Sequence, residues 1–217
     1  MPNLTIDEKV AVLELGDDEN RVTRETMKEL AVALDEVVAL AEPHALLTIG
    51  QGKFFSNGLA SPSTADRPED RSELRHEWET VLAKILTLPV PTVAAVNGHA
   101  FGAGALLALA HDHRLMRADR GFFCLPEIDL GHPFSPGLTA LLMSKLTARA
   151  ATTLILTARR LTGPEAEQLD VVDELATPDE LRDTAFRLAA ELAGKDRATL
   201  GAAKQAMYGD ATRLLAS

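Results

Sequence analysis

The segment from Pro91 to Asp112, PTVAAVNGHAFGAGALLALAHD, restricts the fold more than any other stretch of this chain. An apolar, β-branched run from Val93 to Val96 meets an Asn-Gly turn at Asn97-Gly98. Gly102-Ala103-Gly104 follows, and then an alanine- and leucine-rich stretch to Ala110. Strand, turn, small residues and helix in that order leave backbone N–H groups free at a helix N-terminus, which suits an anion. The small residues let a ligand approach the main chain. The same pattern also fits a tightly packed strand-to-helix connection.

A second stretch, ALLTIGQGKFFSNGLA from Ala45 to Ala60, has the same grammar. Ala45 to Ile49 reads as a buried strand, broken by Gly50-Gln51-Gly52, and Phe54 to Gly58 makes a further turn beside two aromatic rings. Two nucleotide motifs fail here. A dinucleotide fingerprint begun at Gly50 needs glycine where Phe55 stands, and a phosphate loop needs Ser or Thr after Lys53, where Phe54 stands.

Along the rest of the chain, Val10 to Leu15 reads as a strand and Thr23 to Ala41 as a helix opened by Thr23. Ser61 to Ser72, polar and proline-containing, is expected as a mobile loop, followed by a helix from Glu73 to Leu88 that Pro89 and Pro91 end. Leu115 to Cys124 suggests two short strands, and Leu138 to Thr157 one long or two short helices. Thr162 opens another helix, Val171-Val172 reads as a brief strand, and Thr177-Pro178 begins a helix to Ala193. A last helix lies around Thr199 to Tyr208. Alternating strands and helices imply an α/β core. One domain over residues 1–217 is expected, with a core of about 1–157 and a helical part of about 158–217.

Composition narrows the partners. A chain of 217 residues with 46% hydrophobic content can enclose a good-sized core. A net charge of −10 argues against nucleic acid, and makes long-range steering of an anionic ligand ineffective, so any phosphate contact must be local. Lys53, Arg21 and Lys9 are the candidates, each equally readable as an ordinary surface charge. MPNLTIDEKV lacks the apolar core of a signal peptide, no apolar run spans a bilayer, and Leu215-Ala216-Ser217 is not the peroxisomal Ser-Lys-Leu. A cytoplasmic enzyme with no membrane partner is therefore expected. Cys124, alone of its type and beside Phe122 and Phe123, reads as a buried structural thiol. No Gly-x-Ser-x-Gly elbow begins a serine triad, and the histidines show no metal spacing beyond the His111-Asp112-His113 cluster.

Three marks occur together: FSNGL, AVNGHAFGAG and the Pro126-Glu127-Ile128-Asp129-Leu130-Gly131 run. In their order and spacing the chain resembles the enoyl-CoA hydratase/isomerase (crotonase) superfamily over roughly Val10 to Met207. The resemblance implies a crotonase-like α/β fold of repeated ββα units with C-terminal helices, and an acyl-CoA thioester as substrate. No separate cofactor is implied, coenzyme A being part of the substrate. It further implies an oxyanion hole made of the Leu59 and Ala103 N–H groups. Physics agrees, because pre-aimed amide donors and a helix dipole stabilise a thioester enolate without side chains.

Hydratases of this superfamily carry two glutamates. By the resemblance, the first position is occupied here by Leu106 and the second by Glu127. One carboxylate with an apolar partner is the pattern of Δ3,Δ2-enoyl-CoA isomerases, in which one base takes a proton from C2 and returns it at C4. Hydration, hydrolysis, decarboxylation or a silent acyl-CoA-binding subunit remain the other readings. Asp129 would share the side of Glu127 in an extended segment. Lys53, Gly58, Ala60, Ser61, Gly102, Leu106 and His132 are expected around the substrate, and a homotrimer or hexamer is expected from the helices after Leu138. Two features depart from the family: the short sequence after Tyr208, and Asp170 where a glycine is common.

Overall fold

The computed structural model describes residues 2–41, 44–60 and 68–217, with side chains from residue 72 onward in the last range. A hairpin opens the chain: β1 (Asn3–Asp7) pairs antiparallel with β2 (Val10–Glu14). Glu8, in a left-handed conformation (φ 51°), makes the turn. Helix α1 (Arg24–Ala39) follows, capped by Thr23, whose side chain accepts from the Thr26 N–H while Thr26 answers from its own side chain.

The chain then repeats one unit. β3 (Ala45–Ile49), β5 (Thr92–Val96) and β7 (His113–Arg117) add to a six-stranded sheet ordered β1-β2-β3-β5-β7-β9, with β9 at Glu174–Ala176. After each of the first three, the chain turns a corner into a second, three-stranded parallel sheet of β4 (Phe54–Ser56), β6 (His99–Phe101) and β8 (Phe123–Cys124). A helix closes each unit: α2 (Pro68–Leu86), α3 (Ala103–Ala110) and α4 (Pro136–Lys145). This is the ββα repeat that the resemblance implied.

Asn97 holds the corners in register. Its Oδ1 accepts from Gly50 N–H at 3.0 Å, its Nδ2 lies 3.3 Å from Phe54 O, and its own carbonyl accepts from Arg117 at 3.2 Å.

Both faces of the inner strands β2, β3 and β5 are covered, which explains why these are nearly continuous apolar runs. Ala11, Leu13, Leu46, Ala94, Val96 and Met116 face α1, α2 and α3. Val10, Val12, Leu47, Val93 and Leu115 face α7 (Leu181–Leu192), which buries Leu181, Ala185 and Ala189 against them. The two remaining helices of the middle region, α5 (Ala148–Thr157) and α6 (Gly163–Gln168), start at Thr147 and Thr162. The final helix, α8 (Arg197–Leu215), packs on α4 and α2.

Several expectations change. The helix foreseen from Glu73 begins at Pro68, a residue that fits a first helical turn because the N–H it lacks has no partner there. Of the loop expected over Ser61 to Ser72, residues 61–67 lie outside the described residues. The region Leu138 to Thr157 is two helices, since Thr147 caps a new one. Val171-Val172 is not a strand: both side chains are buried, but both N–H groups point to Ala166 O. The strand falls three residues later, at β9. The strands at β1, β4 and β6 were not foreseen, because turn-forming residues flank or interrupt each. The two strands read between Leu115 and Cys124 exist but belong to different sheets. α8 continues past Tyr208 to bury Leu215 completely. Asp170 has φ 56°, the left-handed conformation for which glycine is suited.

Candidate active site

Two corners and one turn bring Gly58 and Glu127 to the start of α3. Gly58 (φ +80°) lies two residues past β4, and a β-carbon there would lie 2.8 Å from Phe101 O and 3.6 Å from Ala103 N. Only glycine lets this turn lie flat against the start of α3. Leu59 forms an isolated parallel bridge with Val22. Val22 donates to Gly58 O at 2.9 Å and accepts from Ala60 N–H at 2.8 Å. These bonds use the residues on either side of Leu59, so its own N–H points away from Val22. Ala103 is the first residue of α3, where no intrahelical acceptor exists, and its cap Gly102 offers no side chain. The Gly58 turn thus lies against the first N–H of a fully buried helix, at its positive end.

Glu127 closes the third side. It opens a turn in which Leu130 N–H reaches Pro126 O at 3.1 Å and His132 N–H reaches Glu127 O at 2.9 Å. Its carboxylate is directed back at the helix start: a β-carbon on Gly102 would lie 3.3 Å from Oε1. Its Oε2 is buried without a hydrogen-bond partner among the described residues. Burial, opposed weakly by its own backbone N–H, raises the carboxyl from 4.5 to about 7. A carboxylate so poised can both accept and return a proton near neutral pH.

Leu106 is buried at 3% exposure one turn into α3. Ala60 is half-buried beside Leu59. His132 has an exposed side chain, and Asp129 is exposed because its segment is a turn rather than a strand, so it does not share the side of Glu127. Lys53 is exposed, with Nζ 5.2 Å from the centre of the Phe54 ring. Arg21 pairs with Glu19 at 2.5 Å and places Nη1 3.5 Å from Leu59 O. Lys9 lies in the β1–β2 turn, its carbonyl accepting from Ala45 N–H at 3.0 Å. Ser61 lies outside the described residues.

Sequence reasoning missed Asn20, which supports the Leu59 turn. In a left-handed conformation (φ 47°), it directs Nδ2 to Gly16 O at 3.1 Å and to Phe54 O and Phe55 O at 3.2 Å. Its carbonyl accepts from Ser56 Oγ at 2.7 Å. The signal was an asparagine in a turn, the residue after glycine best suited to that conformation. A cavity of about 410 Å³ lies behind this turn, lined by Asn20, Val22, Leu30, Ser56 and Leu107 among others. Glu127 is not among its lining residues. His111 is fully buried with ring nitrogens 2.8 Å from Leu107 O and 2.8 Å from Thr48 Oγ1.

A family model described as enoyl-CoA hydratase/isomerase matches residues 5–217. Enoyl-CoA delta isomerase 2, peroxisomal, of Arabidopsis thaliana is 36% identical over 190 residues, covering 83% of this chain and 79% of that protein. Carnitinyl-CoA dehydratase of Salmonella arizonae is 35% identical over 154 residues, covering 70% of this chain and 59% of that protein. The crystal structure of the probable enoyl-CoA hydratase EchA3 of Mycobacterium tuberculosis superposes with a TM-score of 0.91 at 24% identity, over 99% of this chain and 91% of that one. At that identity the likeness shows a common fold. Matched by the family model along nearly its whole length and by a relative at 36% identity, the chain belongs to the enoyl-CoA hydratase/isomerase, or crotonase, family.

Proposed function

We propose that this protein moves the double bond of a 3-enoyl-CoA to the 2-position, with Glu127 as the single base. The observation that carries this reading is the Glu127 carboxylate, buried against Gly102 with Oε2 unpartnered among the described residues and its pKa raised to about 7, while α3 carries the apolar Leu106 one turn from its start. In this reading the thioester oxygen lies between the Leu59 and Ala103 N–H groups, and the charge of the dienolate develops there. Glu127 takes a proton from C2 and, kept from water, returns it at C4. No cofactor is consumed. The isomerase names of relatives at up to 36% identity support this choice within the family.

The test is turnover of a 3-enoyl-CoA, followed by the absorbance of the conjugated 2-enoyl thioester. Binding without turnover would sink the proposal and leave a silent acyl-CoA-binding subunit. A second reading, addition or removal of water, is favoured by the match to a carnitinyl-CoA dehydratase. Rapid hydration of a 2-enoyl-CoA would select it.

Assembly as a trimer or hexamer belongs to the same proposal, as does a cytoplasmic site of action. Among the described residues no helix is long and apolar enough to cross a membrane. Two relatives are named as peroxisomal, so fractionation of cells is the deciding measurement for compartment.

A further inference from the structure

Two asparagines of the chain, Asn57 and Asn97, precede a glycine. Such a pair can cyclise, because no side chain on the second residue hinders attack of its backbone nitrogen on the asparagine amide carbon. The fold treats the two pairs differently. Asn97 is 9% exposed, with Oδ1 taken by the Gly50 N–H at 3.0 Å and Nδ2 directed to Phe54 O at 3.3 Å and Gly52 O at 3.4 Å. A β-carbon on Gly98 would stand 2.1 Å from Lys53 O, so the main chain there is tightly walled in.

Asn57 is half-buried, and its side-chain amide has no hydrogen-bond partner among the described residues. Its main-chain N–H donates to Glu19 O at 2.9 Å, which leaves the side chain free to turn. The Gly58 N–H, the group that cyclisation must take, makes a long bond of 3.3 Å to Ser56 Oγ. That hydroxyl is itself committed to Asn20 O at 2.7 Å. Glycine is required at position 58, given its φ of +80° and Phe101 O at 2.8 Å from where a β-carbon would lie. The glycine that lets the Leu59 turn form thus also exposes Asn57 to attack by the backbone.

We propose that Asn57 is a site of spontaneous deamidation, and that its isoaspartate product opens the turn that presents Leu59. Hydroxide removes the Gly58 amide proton, and that nitrogen attacks Asn57 Cγ. The Cγ–Nδ2 bond breaks, ammonia leaves and a cyclic imide forms. Water then opens the imide at either carbonyl. Opening at Cγ yields aspartate, and opening at the main-chain carbonyl yields isoaspartate, whose chain runs through Cβ and Cγ. One water is consumed and one ammonia released, with no oxidant or cofactor. Isoaspartate lengthens the main chain by one carbon just before Gly58. Gly58 O accepts from Val22 N–H at 2.9 Å and Ala60 N–H reaches Val22 O at 2.8 Å, and the longer chain takes both bonds out of register. Turnover falls with them, a consequence that rests on the isomerase reading, in which the Leu59 N–H holds the thioester oxygen. The deamidation itself does not rest on it.

The experiment holds the whole protein in buffer at pH 8 for several weeks and follows each asparagine by peptide mass spectrometry, counting isoaspartate by enzymatic carboxyl methylation. Hydrogen bonds on the Asn97 amide, each worth about a factor of five, set the expected ratio: Asn57 should deamidate more than about tenfold faster than Asn97. Conversion at Asn57 no faster than at Asn97 would overturn the assignment. Hydrogen exchange on the aged protein tests the second half. The Val22 and Ala60 amides should exchange faster as isoaspartate accumulates, and unchanged protection would refute the opened turn. Asn57→Ala, which cannot form the imide, should hold both amides protected over the same period, and loss at the native pace would also refute it. Turnover of a 3-enoyl-CoA should decline in step with isoaspartate, and a constant rate would refute the effect on the site. Deamidation and exchange need no substrate, so a failure of the isomerase reading would show separately, as absent turnover at time zero.

Discussion

Glu127 Oε1 and Gly102 share one surface: a β-carbon added to the glycine would stand 3.3 Å from that oxygen. The residue that caps α3 therefore also sets how closely the carboxylate approaches the helix start. Gly102 has φ 51° and ψ −117°, a combination that L residues with side chains rarely adopt. Gly102→Ala should cost about 1–3 kcal/mol of stability, read from the urea midpoint. It should also lower turnover of a 3-enoyl-CoA by more than about tenfold, because the added methyl pushes the base from its place. A variant of native stability and native rate would show that this contact has no part in catalysis.

Glu127→Gln keeps volume and removes the base. Activity should fall by about 10²- to 10⁴-fold while binding of coenzyme A thioesters, measured by calorimetry, is retained. Asp129→Asn should be far milder, because Asp129 is exposed. Reversed effects would mean the roles are assigned to the wrong carboxylate.

The raised pKa of Glu127 has a signed consequence for both rate and stability. Activity requires the ionised base, so kcat/KM should rise with pH through a midpoint near 7. In stability the folded state holds this proton more tightly than the unfolded chain does. The contribution is complete below pH 4.5 and is lost as pH rises through about 7. It amounts to on the order of 3 kcal/mol. Glu127→Gln should therefore melt above the native protein at pH 8 and together with it at pH 4. Coincident melting at both values would show that the carboxylate is not desolvated.

Leu106, 3% exposed, is an apolar side chain at the position where the family resemblance implies the second glutamate of a hydratase. The purified protein given a 2-enoyl-CoA should form little 3-hydroxyacyl-CoA over a time in which a 3-enoyl-CoA is consumed. Comparable rates on the two substrates would point to a water-adding enzyme.

Assembly is testable by light scattering. α7 directs Leu181, Ala185 and Ala189 into the sheet, so it has less apolar surface to offer than its sequence implies. Met143 on α4, Leu156 on α5 and Met207 and Leu214 on α8 are 54%, 62%, 67% and 41% exposed, and closed symmetry would cover such residues. A trimer or hexamer of the 23.3 kDa chain is expected at micromolar concentration. A monomer mass would remove the proposal that oligomerisation shields the acyl pocket.

The sequence by itself determined the elements whose causes are local. Thr23 and Thr147 mark helix starts because their side chains answer free N–H groups a few residues on. The continuous apolar runs at β3 and β5 announce strands buried on both faces. The quoted motifs, in order, were enough to identify the family and to single out Leu59, Ala103 and Glu127. Tertiary structure alone decided what depends on residues far apart in the chain. The Leu59 N–H is directed by its bridge to Val22, whose partners lie more than thirty positions away. The pKa of Glu127 comes from burial, which no neighbouring residue in the sequence supplies. Val171-Val172 has strand-like side chains, yet its N–H groups are taken by Ala166 O, so the ladder begins later. Lys145 resembles any lysine ending a helix until α8 brings Tyr208 against it and Lys204 and Arg114 take the available carboxylates. Propensity and capping act over a few residues. Desolvation and charge competition act through space, and only the folded chain sets those distances.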